Sequence, residues 1–337
     1  IGRNEITLPM PSSVVAGCES GGALYVQYTG NSANDDYAVR VDGGSAVPVL
    51  DLYHVTDKIE RQSRTEAYVT QLAAYVGKMQ ENHQKVHEGF KYDEQNCILG
   101  AADILLDTMM LSIPAQQILA GSKSDTDAQR AEKILRSMDA MEEMMHLFYQ
   151  HKGLNAKAAK QIDQIPKGHL NIRYQRMFAG AFMYASGNHI GIEYGSTSGM
   201  VKGEPVEKDE NGKWISGQYF GWGIAHEIGH DINQGAYAVA EITNNYFAVL
   251  AQATEKNNSV RFQYKNVYDK VTSGTKGNAP NVFTQLGMYW QLHLAYDNGY
   301  NYKTYDDHAE QLANLFFARM DSYARTPANA PKPGNVA

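Results

Sequence analysis

The 337-residue chain carries 37 acidic against 30 basic side chains, a net charge of −7, and no Lys/Arg-rich run. That excludes the basic footprint that nucleic acid or an anionic membrane surface requires. A hydrophobic fraction of 43% excludes low-complexity disorder, and no apolar stretch reaches the roughly 18 residues of a membrane-spanning helix. Two cysteines, Cys18 and Cys97, are too few for a disulfide framework or a Cys-rich zinc site, and their pairing stays open. The chain starts at Ile1 rather than Met, as expected of a portion of a longer polypeptide.

Residues 1–55 read as a small β lobe. The runs 23–28 and 37–41 are β-branched and aromatic, with turn formers between and after them. A third run, Ala46-Val47-Pro48-Val49-Leu50, carries a proline that suits a sheet edge. From about residue 57 the spacing of apolar residues predicts helices over 58–90, 97–120, 126–151, 222–233, 239–255, 283–297 and 305–325. Ser124-Asp125-Thr126-Asp127 supplies a helix start, and Gly153 follows the next stop. Between 170 and 221 the pattern is mixed, with strands expected around Phe182–Ala185 and Asn188–Tyr194. The tail 326–337, with three prolines, reads as a linker or frayed end. The fold expected is α+β, a small N-terminal β lobe followed by a mainly helical domain over 56–325.

The segment Gly221-Trp222-Gly223-Ile224-Ala225-His226-Glu227-Ile228-Gly229-His230-Asp231 carries the chemistry. On a helix, His226 and His230 lie one turn apart on one face, so both imidazoles reach one ion. Glu227 points about 100° away from His226, near a metal-bound water but not ligating. A catalytic zinc site needs neutral imidazole ligands and an open position, and the ion brings the pKa of its water to about 7. With 11 His and 18 Glu, chance places only about 0.02 such motifs in this chain. A third ligand is required, and Glu241 is the first acidic residue after Asp231. It is expected on a second helix of a hairpin, with Asn245 four residues on and on the same face. Asn245 is then the oxygen acceptor for the second ring N–H of a ligand histidine.

His226-Glu227-Ile228-Gly229-His230 followed by Glu241-Ile242-Thr243-Asn244-Asn245 resembles the enhancin-like zinc metallopeptidases, a gluzincin family. The preceding Gly221-Trp222-Gly223, the upstream Ala181–Tyr184 and Gly187–Gly191, and the downstream Met288-Tyr289-Trp290-Gln291-Leu292 fit more loosely, so the likeness spans roughly 170–325. The resemblance implies Zn2+ held by His226, His230 and Glu241, with Glu227 as general base. It also implies a secreted or cell-surface endopeptidase acting on glycoproteins, mucin-type O-glycosylated ones above all, and attached to further carbohydrate-binding modules. The gap from His230 to Glu241 is short for the family. By analogy, Tyr289 becomes the candidate that holds the oxyanion, and His189 a candidate for the substrate cleft on an edge strand.

Other clusters are weaker. His83 and His87 share a helix face with no third ligand, and Glu143 with His146 has no second copy of its Glu-x-x-His spacing. Met138, Met141, Met144 and Met145 read as core filler. Two rival functions stand beside the glycoprotein peptidase. One is a zinc peptidase indifferent to glycans; the other is a glycan- or glycoprotein-binding adhesin with a vestigial zinc site, which an intact Glu227 disfavours.

Overall fold

The computed structural model describes residues 46–86, 100–175, 177, 180–203, 220–254, 261–275, 279–297 and 305–326. Most of the expected N-terminal β lobe, both cysteines, His87 and the tail after Thr326 lie outside the described residues, and nothing is described of the His83 side chain. A six-stranded mixed sheet forms the frame, with strands in the order β1-β2-β3-β4-β6-β5. Its strands are β1 (Val49–Asp51), β2 (Ala101–Leu105), β3 (Met109–Pro114), β4 (Leu170–Tyr174), β5 (Met183–Ser186) and β6 (His189–Ile192). β1 runs parallel to β2 at one end of the sheet, and Pro48, which has no N–H to offer, still accepts the N–H of Asp103. At the other end β5 pairs antiparallel with β6 alone.

The ten helices of the described residues are α1 (Lys58–Val86), α2 (Ala115–Gly121), α3 (Asp127–His151), α4 (Tyr194–Thr197), α5 (Gly221–Ile232), α6 (Asn245–Thr254), α7 (Tyr264–Thr272), α8 (Val282–Tyr296), α9 (His308–Asn314) and α10 (Phe316–Arg325). α3 starts where the sequence put it. Thr126 accepts the N–H of Gln129 and Gln129 answers Thr126, a reciprocal cap. Gly153, at φ +65°, ends it, and a Cβ there would fall 2.4 Å from the Ala318 carbonyl oxygen. The four methionines of α3 are buried in the main core. The helix predicted over 97–120 is instead β2, β3 and the short α2. Ala102, Ile104, Leu111 and Ile113 are fully buried on one face of the sheet, and Asp103 and Ser112 are buried on the other. A run buried on both faces loses the alternation that marks a strand, so its spacing mimics a helix. Asp103, buried on β2, accepts the Ser112 hydroxyl of β3 at 2.8 Å. The single helix predicted over 305–325 breaks at Leu315, which is extended between α9 and α10.

A candidate metal centre at the end of the sheet

α5 is a two-faced helix. Ile224, Ala225, Ile228 and Ile232 are buried in the core, whereas His226, Glu227, His230 and Asp231 fall on the partly exposed side. The chain enters α5 through Gly221 at φ +60°, which only glycine adopts without strain. On leaving it, the chain does not go straight into a second helix. Residues 233–244 form a turn-rich connection, and α6 begins at Asn245. The expectation that Glu241 and Asn245 share a helical face is therefore corrected. Glu241 stands in the connection with φ +63°, a left-handed backbone rare for a residue with a side chain.

That backbone is held by its neighbours. The Thr243 hydroxyl donates to the Val239 carbonyl at 3.1 Å, accepts the Val239 N–H at 3.0 Å and accepts the Asn233 amide at 2.9 Å. Asn245 donates its side-chain N–H to the Glu241 carbonyl at 2.8 Å. The approach of this turn to α5 depends on Gly229: a Cβ there would stand 2.2 Å from the carbonyl oxygen of Asn244.

His226, His230 and Glu241 converge as a result, with their donor atoms within 4.8 Å of one another. His226 Nε2 and His230 Nε2 are 3.2 Å apart, His230 Nε2 is 3.2 Å from Glu241 Oε1, and His226 Nε2 is 3.6 Å from Glu241 Oε2. Two donors about 2.05 Å from one tetrahedral zinc are separated by about 3.3 Å, so the three fit a shared ion. His226 Nδ1 lies 2.6 Å from Asn245 Oδ1. An amide oxygen there can only accept, so the proton sits on Nδ1 and the Nε2 lone pair faces the cluster. Asn244, which sequence reasoning did not single out, places its side-chain nitrogen 3.1 Å from His230 Nε2 and 3.3 Å from His226 Nδ1. The signal for it was its place in the Thr-Asn-Asn run between ligand and helix. The Glu241 side chain is 51% exposed, so the cluster opens to solvent on that side.

Glu227 lies beside the cluster without joining it. Its carboxylate accepts the N–H of Ala185 on β5, and its pKa is raised, chiefly by burial, against the lowering pull of both histidines. Asp231, one turn further on, is pushed up to about 7 by burial and then by the charge of Glu227. Ala185 belongs to the last strand of the described sheet, so Glu227 faces that strand's outer edge. His189 is on β6, one strand further in, and its ring is engaged by Arg173 at 2.8 Å and the Tyr184 hydroxyl at 3.1 Å. Tyr289 is not among the metal-cluster residues. Its hydroxyl shares a hydrogen bond with Tyr237, which donates to Asp321 of α10, and burial raises its pKa. It lines a small internal cavity with His151, Tyr246 and Phe317.

The family model for peptidase M60, enhancin and enhancin-like, matches residues 110–314, more than half of the chain. No curated protein matches it. Among solved structures, the M60 catalytic domain of ZmpC from Clostridium perfringens, solved in complex with the sialyl T antigen, superposes with a TM-score of 0.55 at 16% identity, covering 88% of this chain and 58% of that one. The ZmpB metallopeptidase of the same organism gives 0.53 at 18% identity over 88% and 59%. A longer ZmpB structure with its CBM51-1 and CBM51-2 domains gives 0.52 at 18% identity over 87% and 30%. At such identities these likenesses speak for the fold, and the chain spans under three-fifths of each of these structures. Fold, motif region and family model agree, and the chain belongs to peptidase family M60, the enhancin and enhancin-like peptidases.

Proposed function

We propose that this chain is a zinc-dependent endopeptidase that cleaves glycoproteins, with mucin-type O-glycosylated chains as its substrates. The observation that carries the reading is the convergence of His226, His230 and Glu241 beside Glu227, which bonds the outer edge of β5, the last strand of the described sheet. The three converging side chains hold the ion, and His226 is kept in the ligating tautomer by Asn245. Zinc, when bound, supplies a Lewis acid for the scissile carbonyl and an acidified water. Glu227 takes the proton of the attacking water on its carboxylate and delivers it to the leaving amine. The substrate backbone adds as a further strand along β5, which aligns it with Glu227.

The glycoprotein substrate is supported by likeness: the ZmpC catalytic domain was solved with a sialylated glycan, and ZmpB carries carbohydrate-binding modules. By the same reasoning, this chain works outside the cell, joined to modules that hold it on glycans. The test is mass spectrometry of matched peptides, one with a core O-glycan and one bare, with Glu227→Ala as control. Cleavage of the glycopeptide alone, abolished in the variant, is expected. Cleavage of both peptides would remove the glycan requirement, and cleavage of neither would leave a glycan-binding protein.

A further inference from the structure

A second group of donors converges in the core, away from the motif. His151 is the last residue of α3, His293 lies in the last turn of α8, and Asp297 follows α8 directly. All three side chains are closed to solvent, and their donor atoms lie within 4.8 Å of one another. Asp297 Oδ2 is 3.4 Å from His293 Nδ1 and 3.9 Å from His151 Nδ1. These separations exceed a hydrogen bond, yet they approach the distance of about 3.3 Å between two donors on one tetrahedral zinc. Tyr246 at the start of α6 closes the group, its hydroxyl 2.8 Å from His151 Nδ1 and 2.9 Å from His293 Nδ1.

Hydrogen bonding alone leaves this cluster unbalanced. The phenol has one proton, so it donates to one imidazole and accepts from the other. That scheme uses both Nδ1 atoms on Tyr246 and gives nothing to Asp297. The carboxylate is oriented by the Phe316 N–H, which binds Oδ1, while Oδ2 accepts no hydrogen bond from any described residue. A buried carboxylate oxygen facing two neutral imidazoles is strongly unfavourable. A proton on one imidazole or a metal cation among these donors removes the imbalance, and the convergence of three metal-ligating side chains favours the metal.

We propose that His151 Nδ1, His293 Nδ1, Asp297 Oδ2 and Tyr246 Oη form a second, closed site for a divalent transition-metal ion. Two imidazoles, a carboxylate and a phenol oxygen are a donor set that suits zinc. The site leaves no face open to solvent, so its role is structural. It ties α3, α6 and α8 together and, through Phe316, α10. Because Tyr246 follows Asn245, filling it also fixes α6 from behind the turn that carries Glu241.

Elemental analysis of the zinc-loaded, desalted chain tests this. About two equivalents of zinc per chain are expected, and the His226→Ala/His230→Ala variant keeps about one, since those substitutions leave the buried donors untouched. Adding His293→Gln to that variant removes the remaining ion. If the His226→Ala/His230→Ala variant is correctly folded by circular dichroism and retains no zinc, the second site does not exist. The same follows if the residual zinc survives His293→Gln in a folded protein. Neither result bears on peptidase activity, which is read separately.

Discussion

Gly229→Ala isolates the link between the fold and the metal cluster. A Cβ at 229 would stand 2.2 Å from the Asn244 carbonyl oxygen, 2.9 Å from its carbon and 3.1 Å from its Cα. The obstacle is backbone, which has no rotamer to move away. The two segments must separate by about 1 Å or more to restore ordinary contact, an overpacking cost of about 1–3 kcal/mol. Alanine's helix propensity returns up to about 1 kcal/mol of it. The site is more sensitive than the fold, because Asn244, Asn245 and Glu241 move with that backbone. A separation of that size takes the 2.6 Å contact of His226 with Asn245 beyond hydrogen-bond range and stretches the 3.2 Å approach of Glu241 to His230. Losing the oxygen that fixes a ligand histidine lowers metal affinity about 10–100-fold, and misplacement by about 1 Å lowers turnover about 100-fold. Zinc affinity is read by competition with a chromophoric chelator, and stability by thermal unfolding. Gly235→Ala is the control, since a Cβ there meets nothing within 4 Å. A Gly229→Ala protein that binds zinc as tightly as wild type would refute the reasoning, because the close approach would then not position the ligands.

Glu227→Gln is expected to keep its zinc while turnover falls by about 100- to 10,000-fold, the usual loss for a general base; loss of metal as well would make Glu227 a ligand. Asn245→Ala should weaken zinc binding about 10–100-fold, with Asn245→Asp restoring it through a carboxylate acceptor. Unchanged affinity in Asn245→Ala would remove that residue from the site. Asp321→Ala strands Lys152, a buried ammonium 3.1 Å from the lost carboxylate whose pKa burial already lowers. It should cost about 3–5 kcal/mol in urea unfolding, with under 1 kcal/mol arguing that water reaches Lys152. The pH dependence follows from Asp231, raised to about 7 by burial and Glu227, against about 3.9 in an unfolded chain. Between these values the native state holds the extra proton, so the metal-free protein loses stability as pH rises through that window. Thermal unfolding in chelator should therefore show a falling Tm from about pH 4 to 7 that Asp231→Asn flattens. Equal slopes would assign the effect elsewhere.

Much of this was legible in the chain itself, where one face carried both roles of an element. The spacing of His226 and His230 required a helix with both rings on one side, and the buried Ile224, Ile228 and Ile232 on the other side supply that helix. The run Ser124-Asp125-Thr126-Asp127 announced the start of α3 because a cap is a local device, and the structure completes it with Gln129. What escaped was set by tertiary context. β2 and β3 bury residues on both faces and carry one polar residue each, Asp103 and Ser112, too few for the repeated polar alternation of a half-exposed strand. Tyr289 was drawn toward the site by its neighbourhood in the Met-Tyr-Trp-Gln stretch, but helical phase turns its hydroxyl to Tyr237 and Asp321.

The connection between α5 and α6 shows how Glu241 reaches the two histidines by a geometry other than the expected one. Apolar spacing suggested a second helix beginning at residue 239, and such a helix would also place Asn245 over Glu241. The chain instead spends Glu241 on a left-handed turn, a conformation that costs about 1–3 kcal/mol for a residue with a Cβ. The surrounding residues over-determine it: Thr243 closes the loop on Val239 and Asn233, and Asn245 grips the Glu241 carbonyl. The same Asn245 places its oxygen on His226, so one side chain sets both the ligand's backbone and the tautomer of its partner. A regular helix from 239 would occupy the Glu241 and Asn245 carbonyls and amides in its own ladder and leave the carboxylate direction to the helical phase. The turn frees that direction, and with Gly229 admitting the backbone it brings the carboxylate onto both imidazoles after only ten intervening residues. The short gap between His230 and Glu241 thus goes with a sharp turn of the backbone at Glu241 itself, where φ is +63°.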